Sequence, residues 1–357
     1  MFLPKGYNWQ AFAFPLCVKN GECYPDLLKN KTTLYSTSCI RITFEAKLSN
    51  KSYLFLGNYL ASLILSSLTM STKIVYVIVK NRLLISIISA ILIIVAFYGF
   101  FIEPNQVRLK TVKIHNKAMA STFKDLKIVQ LSDLHIGENI SSSTKRTLKI
   151  LNELQPDIIL LTGDYVKWNG NKQVYDNTIN FLSQLSAPLG IYAVMGDADY
   201  STSRRSCLFC HEEGSTLPPS QHQVKFLRDA KVVLKTTEAQ FSIIGIEARP
   251  DQASGLNAIQ RMLTDDPAIV LSHFSLAYNS INKDKDVLVI SGDTHGGQIF
   301  LPEFIWKIIK RKPDVEHKYG LYQNKKKSLY VTSGIGTSDI HFRLGAPPEV
   351  VLFEFTE

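Results

Sequence analysis

The sequence has no internal repeat and no low-complexity tract, and only 20% of its 357 residues are charged. These absences exclude a repeat protein and, together with a hydrophobic content of 45%, a long disordered region. The length suits one large domain or two ordinary ones. The sequence therefore predicts a globular protein.

The C-terminal part of the chain also lacks a basic stripe, although the formal net charge is +9. Residues 1–102 contain ten Lys and Arg against three Asp and Glu, so this segment carries +7 and residues 103–357 carry only +2. A nucleic-acid-binding domain needs clustered basic residues along the phosphate backbone. We therefore expect no nucleic-acid partner.

Residues 83–102 form a run of 20 apolar residues with no charge and no polar face. A helix of that length spans about 30 Å, the hydrocarbon thickness of a bilayer, so the run predicts a single transmembrane anchor rather than a buried core helix. No small-residue cleavage site follows it, which indicates a retained anchor with the lipid bilayer as partner. Lys and Arg flank both ends, so charge does not decide which side the following domain occupies.

Residues 1–72 form an N-terminal segment of unclear status that contains three of the five cysteines. Met70 begins a short basic stretch directly before the anchor, an arrangement typical of a signal-anchor start. We expect Met70 to be the physiological start, with residues 1–69 as an upstream translation. The alternative is a genuine extra segment without a readable function.

From Leu126 onward, short β-branched apolar runs alternate at first with helical patterns. The predicted helices are Thr144–Leu154 and Val174–Leu185. The predicted strands are Lys127–Leu131, Asp157–Thr162, Ile191–Met195, Ile243–Ile246, Ala268–Leu271, Val287–Ile290, Leu329–Thr332 and Val350–Phe355. Strands that are apolar on both faces indicate sheets covered by helices, an α/β architecture. The closer spacing of the later strands predicts at least one mixed sheet.

Five of these strands run directly into Asp or His at their C-terminal ends. A single Asp after a strand is usually a cap or a turn residue. Five such ends with carboxylates and imidazoles favour a site for divalent metals at one edge of the sheets. The residues are Asp133, His135, Asp164, Asp197, Asp199, His273, Asp293 and His295.

The order of these motifs resembles the calcineurin-like metallophosphoesterase superfamily, whose pattern is DxH, GD, GNHD, a lone His and GHxH. More narrowly, the chain resembles its YkuE-like branch and the membrane-anchored UDP-2,3-diacylglucosamine pyrophosphatases of lipid A biosynthesis. The quoted segments are FIEP, IVQLSDLHIG, TGDYV, GDTHGGQ and GIGTS…RLGAPPEV. The resemblance implies a metallophosphoesterase domain over residues 120–357, folded as a four-layered αββα sandwich of two mixed sheets.

The same resemblance implies a dinuclear centre of Mn, Mg, Fe or Zn ions that activates a water for attack on phosphorus. Asp133, His135 and His295 would hold the first metal, and His273 the second. Asp164 would bridge both metals and take part directly in catalysis.

The chain departs from the family pattern at three positions. The GNHD motif reads Gly196-Asp197-Ala198-Asp199, and the first His of GHTH is Asp293. Asp197 and Asp293 can still bind a metal, and a carboxylate-rich second site favours Mn²⁺ or Mg²⁺. Ala198 replaces the histidine that assists the leaving group, with Asp199 as its catalytic support, and the loss of a positioned acid costs about 10²–10⁴ in rate.

Cys207, Cys210 and His211 form a CxxCH sequence, which is the attachment signature of haem c. The alternatives are a surface loop with a disulfide or two free thiols, and a structural metal site. Covalent haem would require the domain to face the oxidising, extracytoplasmic side, which is the side we expect.

Two hypotheses follow. The first is a metal-dependent phosphoesterase or pyrophosphatase, whose substrate is a phosphorylated small molecule or a lipid-linked nucleotide. The second is a weak or inactive phosphate-ligand-binding protein, or a haem-linked sensor, with a remodelled metal site.

Overall fold

The computed structural model describes the chain in ten stretches, and all structural statements below concern these residues. They are 17–18, 22–23, 61–67, 81–167, 171–200, 221–236, 239–246, 253–299, 316–338 and 340–357.

The chain divides into two compact units, Met1–Ile85 and Ser86–Glu357. In the first unit, strands β1 (Cys17–Val18) and β2 (Glu22–Cys23) pair antiparallel, and residues 61–67 are helical. Most of the predicted N-terminal segment, including Met70, lies outside the described residues.

Helix α1 (Arg82–Phe97) covers most of the predicted anchor and continues through further helical turns to Asn105. Within the described part of the chain, Leu84–Asn105 is the one helical stretch long and apolar enough to cross a membrane. Its side chains are largely exposed, as Ile93 shows at 68%. A core helix of a soluble domain would bury such residues, so this exposure fits a lipid-facing helix better.

The second unit contains two six-stranded mixed sheets. The first sheet has the order β3-β14-β4-β5-β6-β7 and the second the order β12-β13-β11-β10-β9-β8. The strands are β3 (Arg108–His115), β4 (Ile128–Leu131), β5 (Ile158–Leu161), β6 (Ile191–Ala193), β7 (Lys225–Phe226), β8 (Ala230–Lys235), β9 (Gln240–Ile246), β10 (Ala268–Ser272), β11 (Val287–Ser291), β12 (Gly320–Asn324), β13 (Lys327–Val331) and β14 (Glu349–Thr356). Strands β4 to β7 run parallel, as do β9, β10, β11 and β13.

The helices are α2 (Lys117–Thr122), α3 (Ser142–Leu154), α4 (Lys172–Ser183) and α5 (Ala253–Met262). Alternate residues of β5 show how the layers form. Ile158 and Leu160 pack into a core shared by both sheets, whereas Ile159 and Leu161 pack into a core with α3 and α4. A third core joins the other face of the second sheet to α5. The predicted αββα sandwich is therefore confirmed.

The first sheet begins earlier in the chain than the predicted domain start at residue 120. Strand β3 pairs in parallel with β14 along its whole length. Its burial alternates toward the C-terminal end, with Val112 and Ile114 buried and Lys113 exposed. Arg108 and Lys113, two of the basic residues that follow the apolar helix, are thus exposed side chains of an edge strand.

The end of the apolar helix packs on the loop before β14. A Cβ atom on Gly99 would lie 2.3 Å from the Phe342 ring, so only glycine allows this approach. The Phe100 and Phe342 rings meet edge to face at 4.8 Å. The buried carboxylate of Glu103 accepts a hydrogen bond from the Gly345 N–H at 3.0 Å. These contacts hold the helix end against the sandwich.

Candidate metal centre

The predicted ligands lie in the turns after β4, β5, β6, β10 and β11, so both sheets contribute to one edge of the sandwich. Five of the seven have a positive φ angle, which non-glycine residues rarely adopt. They are Asp133, His135, Asp164, Asp293 and His295. Such strain costs about 1–3 kcal/mol per residue and concentrates at functional sites.

The seven side chains form three overlapping groups whose ligand atoms lie within 4.8 Å of one another. The groups are Asp133, His135 and His295; Asp133, Asp164 and His273; and Asp197, His273 and Asp293. The structure therefore brings together every residue that the sequence assigned to metal binding.

The first group brings two imidazole nitrogens close together. His135 Nε2 and His295 Nε2 lie 3.0 Å apart, and their rings are stacked at 4.9 Å between centroids. Burial is the main reason why the pKa of each ring is lowered to about 3. The charge of His295 acts in the same direction on His135, and that of Arg343 on His295. Both rings are therefore neutral at pH 7. Two neutral imidazoles with nitrogens this close suit the ligand set of one cation.

The carboxylate of Asp133 completes this group. It is fully buried, and Oδ1 accepts the Asp293 N–H at 3.1 Å. Among the described residues, no hydrogen-bond donor reaches its Oδ2 atom. A buried carboxylate oxygen without a partner is costly, so this atom fits a metal ligand.

Asp164 lies between the first group and the second. Its Oδ2 atom is 3.5 Å from His135 Nε2, and its Oδ1 atom is 3.5 Å from His273 Nε2. Burial raises the pKa of Asp164 well above its usual range, and the nearby carboxylates of Asp199 and Asp133 raise it further. One carboxylate facing two imidazole groups is the arrangement expected of a ligand that bridges two metals.

The second group centres on His273, which is fully buried. Its Nδ1 atom lies 2.8 Å from the Thr162 carbonyl oxygen, so Nδ1 carries a proton and Nε2 lies on the side of Asp164 and Asp197. Nε2 is 3.2 Å from Asp197 Oδ1 and 3.9 Å from Asp293 Oδ1. These distances place both replacement carboxylates beside the second site.

The charges of this group favour a cation. Burial alone would lower the pKa of His273, but Asp164 and the other carboxylates outweigh it and raise the pKa above its usual value. The hydrogen bond with His273 lowers the pKa of Asp197, whereas burial raises the pKa of Asp293 to about 6. The proton on His273 thus balances negative charge that a divalent metal would also balance.

Asp199 occupies a different position from the metal ligands. Its buried carboxylate accepts backbone N–H groups from Asp164 at 3.0 Å, Tyr165 at 3.1 Å and Gly196 at 2.9 Å, with Val166 at 3.5 Å. Burial raises the pKa of Asp199 to about 6, against the effect of these donors. The geometry makes Asp199 a residue that positions the turns of Asp164 and Asp197.

Ala198 lies in the pocket wall, where its backbone N–H donates to Asp164 Oδ1 at 3.0 Å. Its methyl group offers no proton to a leaving group. The preceding Gly196 allows this close packing, because a Cβ atom there would lie 2.1 Å from Asp164 Oδ1.

Sequence reasoning did not find two charged residues of the site. Lys167 lines the same pocket as the ligands and is exposed, so it can meet an anionic group. Arg343 is fully buried, with Nη2 at 3.4 Å from His295 Nδ1 and Nη1 donating to the Ala346 carbonyl at 2.8 Å. Lys167 follows Asp164 by three positions in TGDYVK, and this spacing is the signal that could have found it.

The pocket above the ligands has a volume of about 650 Å³ and is open to solvent. Its other described lining residues are Gly297 and the polar residues Thr294, Gln298 and Ser338. The predicted haem or metal motif of Cys207, Cys210 and His211 lies outside the described residues.

Residues 126–297 match the family model of the calcineurin-like phosphoesterases. The chain is 29% identical over 281 residues to the uncharacterized metallophosphoesterase YkoQ of Bacillus subtilis, covering 74% of this chain and 97% of YkoQ. It is 27% identical over 297 residues to the UDP-2,3-diacylglucosamine pyrophosphatase LpxG of Chlamydia trachomatis, covering 70% and 90% of the two chains.

A third relative is a transmembrane protein with a metallophosphoesterase domain from Danio rerio. It is 28% identical over 285 residues, which cover 76% of this chain and 62% of that protein. The family is a superfamily of phosphoester hydrolases that use divalent metals, and the Asp and His groups described above could hold such ions. The family match agrees with the two-sheet sandwich and with the Asp and His groups at its edge. The chain therefore contains a calcineurin-like metallophosphoesterase domain.

Proposed function

We propose that the chain is a metal-dependent hydrolase that cleaves a phosphoester or a nucleotide-lipid pyrophosphate. The observation that carries this proposal is the position of Asp164, whose two oxygens face imidazoles of different ligand groups. When bound, two divalent cations would neutralise phosphate charge and lower the pKa of an attacking water. Asp133, His135 and His295 would hold the first, and Asp197, His273 and Asp293 the second, with Asp164 between them.

The protein side chains supply orientation and charge. Asp199 accepts the backbone N–H of Asp164, and the Ala198 N–H donates to the Asp164 carboxylate. The Thr162 carbonyl fixes the ring of His273. Lys167 stands at the pocket wall, where it can bind an anionic oxygen of the substrate. These contacts hold the reacting groups before the substrate arrives.

Ala198 favours a substrate whose leaving group is a stable anion. The side chain at this position cannot donate a proton, so an alkoxide leaving group would depart slowly. A nucleoside monophosphate released from a pyrophosphate needs no such donor. The pyrophosphatase LpxG acts on UDP-2,3-diacylglucosamine according to its name, and the apolar helix fits a substrate that resides in a membrane.

The second site favours Mn²⁺ or Mg²⁺ over Zn²⁺, because Asp197 and Asp293 add oxygen ligands. Four carboxylates would surround the two cations. The remodelled centre also keeps a second candidate function open, namely binding of a phosphate ligand without cleavage, because Ala198 removes a catalytic proton donor.

The test uses the full chain in lipid nanodiscs, with Mn²⁺, Mg²⁺ or Zn²⁺. A nucleotide-lipid pyrophosphate and bis(p-nitrophenyl) phosphate are the substrates, and His135→Ala is the inactive control. We expect metal-stimulated cleavage of the pyrophosphate that the control lacks. Metal and phosphate binding without turnover of either substrate would instead support the binding function.

A further inference from the structure

An apolar groove lies beside the metal pocket. It has a volume of about 440 Å³, and none of its described lining residues is charged. They are Phe100, Gly297, Gln298, Ile299, Ser338, Ile340 and Phe342. Ile340 is 62% exposed and Ile299 41% exposed, so the groove presents unusually apolar surface to its surroundings.

The groove and the metal pocket share a wall. Gly297, Gln298 and Ser338 line both. The Gln298 side chain donates to Ser338 Oγ at 2.8 Å and accepts the Ser338 N–H at 3.1 Å, which fixes this wall. A molecule with its phosphate at the metal ligands can therefore extend an apolar portion over the wall into the groove.

The other end of the groove is formed by the apolar helix. Phe100, one residue after Gly99, is 42% exposed and packs against Phe342 at 4.8 Å between ring centroids. The Gly99 carbonyl accepts the Arg343 N–H at 3.0 Å, so the helix end is hydrogen-bonded to the segment that forms the groove wall. The groove thus connects a polar site to the surface of a candidate membrane helix.

We propose that this groove binds the acyl chain of a phosphorylated lipid whose phosphate lies at the metal centre. The proposal rests on the proposed function, because it needs an anionic phosphate in the metal pocket. An amphiphile fits the arrangement, since charge and polarity lie at one end and uncharged apolar side chains at the other. Each methylene buried in the groove strengthens binding by about fourfold.

The experiment measures binding of inorganic phosphate, ethyl phosphate and octyl phosphate by calorimetry, with Mn²⁺ and the full chain in nanodiscs. The quantity compared is the gain in affinity from ethyl to octyl phosphate. Wild type is compared with Ile340→Asn and with the matched control Leu276→Asn. Leu276 is 48% exposed and lies outside the groove.

We expect a gain of at least roughly tenfold in wild type and in Leu276→Asn, because several of the six added methylenes are buried. In Ile340→Asn the gain should fall roughly fivefold, since the apolar wall is lost. An equal gain in all three proteins would reflect partition of octyl phosphate into the lipid and would overturn the proposal that the groove binds an acyl chain. Phosphate binding without any gain would also overturn it while leaving the proposed function intact. No phosphate binding in wild type would contradict both.

Discussion

The buried carboxylate of Asp199 gives the sharpest prediction, because four backbone N–H groups depend on it. Asp199→Ala leaves three close donors, from Asp164, Tyr165 and Gly196, without their acceptor. Each buried unsatisfied donor costs about 1–3 kcal/mol. The minimum for three donors is about 3 kcal/mol of unfolding free energy. For a domain of this size that loss lowers the melting temperature by roughly 6–12 °C.

The variant should also lose metal while still folded, because the turn that carries Asp164 loses its support. Thermal melting by intrinsic fluorescence and metal content by mass spectrometry, both on the full chain in nanodiscs, measure the two effects. The melting temperature and the metal content of Asp199→Asn should lie between those of wild type and Asp199→Ala. The amide keeps one acceptor oxygen but turns a donor toward two N–H groups.

The matched control is Asp176→Ala. Asp176 forms an exposed ion pair with Lys172 at 2.7 Å, and such pairs contribute little to stability. Its melting temperature should stay within about 2 °C of wild type. If Asp199→Ala has the same melting temperature as Asp176→Ala and keeps its metal, the role given to the four N–H contacts is wrong.

Three further predictions concern the site. Gly196→Ala places a Cβ atom 2.1 Å from Asp164 Oδ1 and should lower pyrophosphate turnover roughly 100-fold, measured as kcat, because small displacements at a reacting centre have large effects. Asp293→His should raise the affinity for Zn²⁺ relative to Mn²⁺ in a competition titration, since an imidazole is the softer ligand; an unchanged ratio would place this residue outside the second site. Arg343→Met removes the side chain beside His295 and should lower the metal affinity by about 10–100-fold in a chelator competition, because the ring loses a contact that orients it. An unchanged metal affinity would make Arg343 structural only.

The eight interior strands of the two sheets could be predicted from the sequence, but none of their four edge strands could. Strands β5 and β11 are buried on both faces and therefore read as continuous apolar runs. In β3, Lys110 and Lys113 lie among apolar residues, and their charges resemble those that commonly flank a membrane helix. The pairing with β14, which decides its structure, joins residues more than 240 positions apart.

That the predicted ligands lie together could be foreseen, because each follows a strand and the ends of parallel strands meet at one edge. The orientation of the Asp199 side chain could not be predicted, because a residue two positions after Asp197 can face either the metal site or the backbone. Arg343 stands in a segment without periodicity, and only the folded loop brings it to His295. Contacts between segments distant in sequence therefore determine the orientation of Asp199 and the position of Arg343, which the motif does not specify.

The junction at Gly99 and Glu103 bears on where the domain can find its substrate. If the apolar helix crosses a bilayer, these contacts hold the sandwich close to the membrane surface. Encounters with the proposed lipid-linked substrate would then take place in two dimensions, and the relevant quantity would be the number of substrate molecules per unit area of the same leaflet. Adding lipid that carries no substrate would dilute the reaction at constant bulk concentration, and molecules in a neighbouring vesicle would escape cleavage.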